Sequence, residues 1–220
     1  GTMMQEYAWE EQIGILKREL SGFSGSILFE FPIPRMGKRV DCLLIIQNVV
    51  FVIEFKVGES QFQRYQIDQV WDYALDLKNF HKTSHDVPMI PVLIATEAVS
   101  GGVEFMQSSH EDKLLYPVCI GAQGLGNIIR KALFYFDNET ELDADSYIRG
   151  AYYPTPTIIE AAISLYNSHS VDEITRSDAG AINLTKTSKA ISLVIDEAKI
   201  LKKKIICFVT GVPGAGKTLV

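Results

Sequence analysis

Three ionisable side chains stand in apolar runs where an ordinary core strand would carry none: Asp41, Glu54 and Lys56. Two carboxylates held close together repel, and desolvating them beneath covering helices costs several kcal/mol. A divalent cation between them removes both penalties, and Mg²⁺ favours oxygen ligands of this kind. A lysine beside such a pair can orient an attacking water and stabilise charge on a phosphorane-like transition state. The chemistry implied is metal-dependent hydrolysis of a phosphate ester.

The elements that must position these groups lie in residues 37–73. Two apolar strands, 39–46 and 49–56, flank a polar break at Gln47-Asn48. If that break is the turn, Ile46 meets Val49. Counting outward then sets Asp41 opposite Glu54, and Arg39 opposite Lys56. Side chains directly opposed across antiparallel strands have Cβ atoms about 4.5–5.5 Å apart on one face. Alternation puts Glu54 and Lys56 on one face and Ile53 and Phe55 on the other. The Phe55 carbonyl lies between the two ionisable residues and is a candidate further metal ligand. A plainer reading pairs Asp41 with Arg39 or Lys38 as a strand-end residue.

A helix is expected over 61–81, its apolar face formed by Ile67, Val70, Trp71, Ala74 and Leu77. Gln69 and Tyr73, four residues apart, share a stripe bordering that face, with Gln66 one turn before. Amide and phenol groups there could position a phosphate or a water.

Ahead of the hairpin, 7–20 reads as an amphipathic helix with Trp9, Ile13, Leu16 and Leu20 as its buried stripe. A strand over 26–31 follows, ended by Pro32 and Pro34. Strands are expected at 89–96 and 114–120, and helices at 127–136, 157–168 and 188–203. The expected fold is α/β: a central mixed sheet flanked by helices, then a C-terminal helical segment and a strand, 205–210.

The arrangement is similar to the PD-(D/E)XK nuclease superfamily, and Gln69 to Tyr73 resembles the QxxxY element of its RecB-like branch. The resemblance implies a restriction-endonuclease-like αβββαβ core, which the expected element order matches from the first helix to the strand at 89–96. It implies Asp41 and Glu54 as ligands of Mg²⁺ or Mn²⁺, Lys56 as the catalytic lysine, and Gln69 and Tyr73 as auxiliary residues. The family usually adds a glutamate from the first helix; Glu10 and Glu11 compete for that role, with Glu10 favoured by its place beside the buried stripe. Val40 precedes Asp41, so the proline of the family name is absent. The substrate implied is nucleic acid, DNA before RNA. The alternatives are a nuclease-like module that binds nucleic acid or a partner without cutting, or a regulatory module of an ATPase.

The ATPase enters through Gly211-Val-Pro-Gly214-Ala-Gly216-Lys217-Thr218, which fits G-x-x-x-x-G-K-[ST]. In such a loop, backbone N–H groups wrap phosphates, the lysine reaches the β/γ oxygens and the threonine holds Mg²⁺. Residues 181–220 resemble the entry to a superfamily 1 helicase-like ATPase, binding ATP and continuing beyond the sequence. Nucleases joined to such motors are familiar in DNA processing and phage defence. The expected domains are a nuclease-like unit at 1–138, a linker with helical extension at 139–180, and the start of the ATPase at 181–220.

Composition bounds these expectations. A net charge of −6 argues against coating nucleic acid by bulk charge, although Arg35, Lys38 and Arg39 form a local basic cluster. Hydrophobic residues at 47% suffice for a packed core, while no stretch suggests a membrane span or a secretory leader. Cys42, Cys119 and Cys207 lack metal or disulfide spacing and read as buried thiols in a cytoplasmic protein. His81 and His85 read as partly exposed histidines without a third ligand.

Overall fold

A computed structural model describes residues 2–108, 112–136, 141–153 and 178–209. The chain divides into two units, Gly1–Leu75 with Asp86–Arg149, and Asp76–His85 with Gly150–Val220.

In the first unit, helix α1 (Thr2–Glu19) leads to strands β1 (Ser26–Ile33), β2 (Lys38–Ile46) and β3 (Val49–Lys56). Helix α2 (Arg64–Phe80) starts in this unit, and β4 (Met89–Ala95), β5 (Val118–Ile120), α3 (Leu125–Tyr135) and α4 (Ala144–Ile148) follow. The five strands form one mixed sheet in the order β1-β2-β3-β4-β5. Strands β1, β2 and β3 pair antiparallel, whereas β3, β4 and β5 run parallel. Parallel pairing needs a crossover, and α2 supplies it between β3 and β4.

The sheet is covered on both faces, which is why its central strands read as continuous apolar runs. One face presents Cys42, Leu44, Ile53, Phe55, Val92 and Ile94 to Ile15 and Leu16 of α1 and to Leu125, Ile128 and Ile129 of α3. Alternation turns Asp41, Leu43, Val52, Glu54 and Lys56 to the opposite face. There α2 is tied to the sheet by a hydrogen bond from Gln69 to Glu54.

Several expectations shift. The α1 stripe is not uniformly buried: Leu16 is 3% exposed, as is Ile15 from outside the expected stripe, but Trp9 is 38% exposed and leans on Phe29 of the edge strand. Among the described side chains of α1, those that enter the core cluster, Ile15 and Leu16, lie in its C-terminal half. Strand β1 continues through Pro32, because an edge strand tolerates a missing N–H on its outer side. The strand expected at 114–120 shortens to β5, with isolated bridges at Leu114 and Leu115, since Pro117 cannot donate to the ladder. At the start of α3, the Glu19 carboxylate accepts the N–H groups of Gly124 and Gly126 at 3.0 and 3.2 Å. This joins the end of α1 to the electropositive start of α3.

In the second unit, the end of α2 runs into a 3-10 turn at Lys82–Ser84. Residues 151–153 lie beside it: Lys82 donates to the Ala151 carbonyl, Tyr153 to that of Phe80, and the Tyr152 hydroxyl to Asp76. Buried Lys78 donates to the carbonyls of Ser84 and His85. His81 is 2% exposed, not partly exposed as expected, with Nδ1 at 2.8 Å from the Ser84 hydroxyl. Helix α5 (Asp178–Leu201) begins ten residues earlier than the pattern suggested. After it, Ile205, Ile206, Phe208 and Val209 are exposed and form no strand. A strand needs a hydrogen-bonding neighbour, and none pairs with them among the described residues. Cys207 is accordingly exposed and Cys119 half-buried; Cys42 alone of the three is buried, and its thiol is pushed up to about 12 by burial and by Asp41. The helix expected at 157–168 lies outside the described residues.

Candidate metal centre

The site is built where two strands part. The β2–β3 hairpin turns at Gln47, which takes φ 52, and pairs from Ile46↔Val49 to Cys42↔Ile53, in the register the two-residue turn implies. The ladder stops there, so the expected pairs of Asp41 with Glu54 and Arg39 with Lys56 do not form. Beyond that point β2 stays with β1, through Phe31↔Val40, Pro32↔Arg39 and Ile33↔Lys38. Strand β3 stays with β4, through Glu54↔Leu93, Phe55↔Ile94 and Lys56↔Ala95. Each strand follows its outer neighbour as the sheet twists, and a gap opens between them. Arg39 meets Glu30 of β1 at 3.8 Å.

Opening the gap leaves the Phe55 N–H without a β2 carbonyl. Asp41 Oδ2 accepts it at 2.8 Å, so the carboxylate splices the two strands together. In a strand the N–H and C=O of one residue point to the same edge, so the Phe55 carbonyl faces this gap as well.

Glu54 is 4% exposed. Its Oε1 accepts from Lys56 Nζ at 3.2 Å and from Gln69 Nε2 at 2.8 Å. Its Oε2 is buried with no hydrogen-bond partner. The Gln69 amide links the network: its oxygen accepts from Lys56 Nζ at 3.1 Å, and its nitrogen also donates to the Tyr73 hydroxyl at 2.8 Å. Tyr73 is itself buried, which raises its pKa. Glu54, Lys56, Gln69 and Tyr73 are thus joined into one hydrogen-bonded cluster, and the charge of Asp41 acts on it at Glu54.

Electrostatics mark the pair of carboxylates. Burial, and then the charge of Asp41, push Glu54 from its usual 4.5 to about 7, although Lys56 and the nearby Asp41 backbone N–H pull the other way. Burial also raises Asp41, with Glu30 adding to the rise and the Phe55 N–H and Lys56 opposing it. A carboxylate oxygen buried without a donor, beside a second carboxylate, is the donor set a hard divalent cation fits. Asp41, Glu54 and the Phe55 carbonyl are the oxygens that would hold it.

Glu10 does not join them. It is exposed on α1, which packs over the face bearing Cys42 and Ile53, whereas Asp41 and Glu54 face α2. Among the described residues no three His, Cys, Asp or Glu side chains converge on one point, so neither Glu10 nor Glu11 completes a triad. Gln66 takes a structural role. Its Oε1 accepts the Gln63 N–H at 3.1 Å, the reciprocal half of a capping box at the start of α2. The candidates Gly211, Gly214, Gly216, Lys217 and Thr218 lie outside the described residues.

Two supporting features escaped the sequence reading. Thr96 straps the loop after β3: its hydroxyl accepts the Gly58 N–H at 2.9 Å and its N–H donates to the Lys56 carbonyl at 3.1 Å. No local pattern announces such a contact. Glu30 lies beside Asp41 on β1, between the pairs Phe29↔Cys42 and Phe31↔Val40, and its signal was a lone charge between Phe29 and Phe31. No described helix is long and apolar enough to cross a membrane. No protein-family model, curated protein or solved structure matches the chain.

Proposed function

We propose that this chain is a divalent-cation-dependent phosphodiesterase acting on nucleic acid, with DNA the first substrate to test. The observation that carries the reading is Glu54, a carboxylate 4% exposed with one oxygen unpartnered, set against Asp41 and beside Lys56. Leaving such a group unsatisfied costs stability in the metal-free protein, and a cation at Asp41, Glu54 and the Phe55 carbonyl offsets that cost. When bound, Mg²⁺ or Mn²⁺ would supply charge stabilisation to phosphate oxygens and lower the pKa of water.

The chain's own residues supply the rest. Lys56 Nζ is held between Glu54 and Gln69 at 3.2 and 3.1 Å, which keeps an ammonium at the edge of the carboxylate pair, able to donate to a phosphate oxygen. Tyr73 and Gln69 fix one another and so fix that lysine. The element order from α1 through β1, β2, β3 and α2 to β4 agrees with the αβββαβ core of the PD-(D/E)XK nucleases, the restriction-endonuclease-like fold, and the Gln69–Tyr73 pair agrees with their QxxxY element. Coupling to ATP rests on the Gly211–Thr218 motif alone.

The test is a cleavage assay on single- and double-stranded DNA and RNA with Mg²⁺ or Mn²⁺, beside Asp41→Asn, Lys56→Met and an EDTA control. Metal-dependent cleavage lost in both variants is the expected result. Cleavage that persists in EDTA or in the variants refutes the mechanism. Nucleic-acid binding without hydrolysis by the wild-type chain would make it a binding module instead.

A further inference from the structure

Strand β1 leaves extended backbone at one residue. Glu30, mid-strand, takes φ 53, the left-handed region that glycine accepts and glutamate does not adopt freely. The β1–β2 ladder closes on either side of it, at Phe29↔Cys42 and Phe31↔Val40, but holds no pair between Glu30 and Asp41. Those flanking pairs nevertheless set Glu30 beside Asp41 on the next strand. Backbone outliers of this kind collect at functional sites, where the surroundings hold them in place.

The charges at the gap are unbalanced for a divalent cation. Lys56 sits against Glu54 at 3.2 Å, so one of the two carboxylate charges is already partly countered. Glu30 brings a third. The ladder pairs on either side of it keep it beside Asp41 on the neighbouring strand. Its ion pair with Arg39 is 3.8 Å long, with side chains 44% and 66% exposed, and so binds the carboxylate weakly. The independent sign of a ligand at this place is Glu54 Oε2, buried and without a partner.

We propose that Glu30 is the third carboxylate of the metal centre, engaging the cation through its hydration shell. This rests on reading Asp41 and Glu54 as the direct ligands. The hydration shell enters because no three carboxylates converge on one point among the described residues, while Mg²⁺ characteristically keeps several of its waters. A carboxylate one shell out accepts hydrogen bonds from those waters and tunes affinity without touching the ion.

The test is Mn²⁺ binding by the full chain, read by electron paramagnetic resonance of free Mn²⁺, for wild type, Glu30→Gln, Glu30→Gly and Asp41→Asn. Outer-shell carboxylates change metal affinity by about 10–100-fold, and Glu30→Gln should weaken Mn²⁺ by at least the lower figure. Glu30→Gly should weaken it equally while raising the urea midpoint, because glycine accepts φ 53 without strain. A purely structural glutamate would not separate the two readouts in that way. Wild-type affinity in both Glu30 variants, with Asp41→Asn impaired, overturns the role of Glu30 and leaves the metal centre standing. A wild-type chain that binds no Mn²⁺ overturns the proposed function, and the role of Glu30 with it.

Discussion

Glu54→Gln should make the metal-free protein more stable at pH 8, although it removes a proposed metal ligand. The carboxyl titrates near pH 7 in the folded chain against a usual value of 4.5. Each unit of difference is worth about 1.4 kcal/mol, so ionised Glu54 costs the folded state on the order of 3 kcal/mol. A folded-state pKa above the unfolded one means the folded protein binds the proton more tightly. Its stabilising contribution is therefore present below about pH 4.5 and is lost as pH rises to about 7. Glutamine keeps the size and an oxygen to accept from Lys56, and it carries no charge to desolvate. The neighbouring charge on Asp41 pushes the same way, since it is one of the causes that raise Glu54 and the amide no longer meets it. The assay is urea unfolding in EDTA from pH 4.5 to 8.5, followed by tryptophan fluorescence. Both tryptophans, Trp9 and Trp71, belong to the first unit, so the signal reports the sheet that holds the site. Wild type should lose stability between about pH 4.5 and 7 and then level off, while the variant lacks that loss. Added Mg²⁺ should restore wild type by mass action and leave the variant unmoved. A variant no more stable than wild type at pH 8 in EDTA would refute the claim that this carboxylate is held under electrostatic strain.

Other perturbations separate framework from chemistry. Glu19→Gln should cost about 1–2 kcal/mol, because the carboxylate accepts two backbone N–H groups at the start of α3. Burial alone would raise the Glu19 pKa, but those N–H groups and Arg18 outweigh it and hold it low. Its stabilisation is thus present above about pH 4.5 and lost as pH falls through the lowered value, which urea midpoints in acid would show. Gln66→Ala should cost about 1 kcal/mol through the lost α2 cap and leave Mn²⁺ affinity alone. Gln69→Ala should lower cleavage by releasing Lys56, and a cap-like loss of stability with full activity would count against its assigned place. Lys56→Met should reduce cleavage by about 10²–10³-fold while Mn²⁺ affinity holds or rises, because a positive charge beside Glu54 is gone.

Much of this site was legible in the chain because it depends on local rules. A two-residue turn at Gln47-Asn48 dictates the hairpin register, and that register appears from Ile46↔Val49 to Cys42↔Ile53. Period-two alternation placed Glu54 and Lys56 on one face, and helical spacing placed Gln69 and Tyr73 on one stripe. The Lys56–Gln69–Tyr73 contacts are the direct product of those two periodicities meeting. Other parts depended on partners distant in sequence. Gln66 and Gln69 look alike in the chain, but one lies in the first turn of α2, where an orphan N–H awaits it, and the other lies over Glu54. Glu10 sits at a helical spacing that suits a third ligand, yet the face on which α1 packs carries it away from the gap.

By itself the sequence determined strands β2 and β3, their turn, and the identity of the groups that meet at β3 and α2, because backbone sterics and side-chain periodicity act over a few residues. Only the tertiary structure decided that β2 and β3 part after Cys42↔Ile53. That parting comes from the competing ladders with β1 and β4, which twist each strand toward its outer neighbour. It turns the expected cross-strand pair into a gap, with Asp41 bound to the Phe55 N–H, Glu54 left with one unpartnered oxygen, and Glu30 brought alongside.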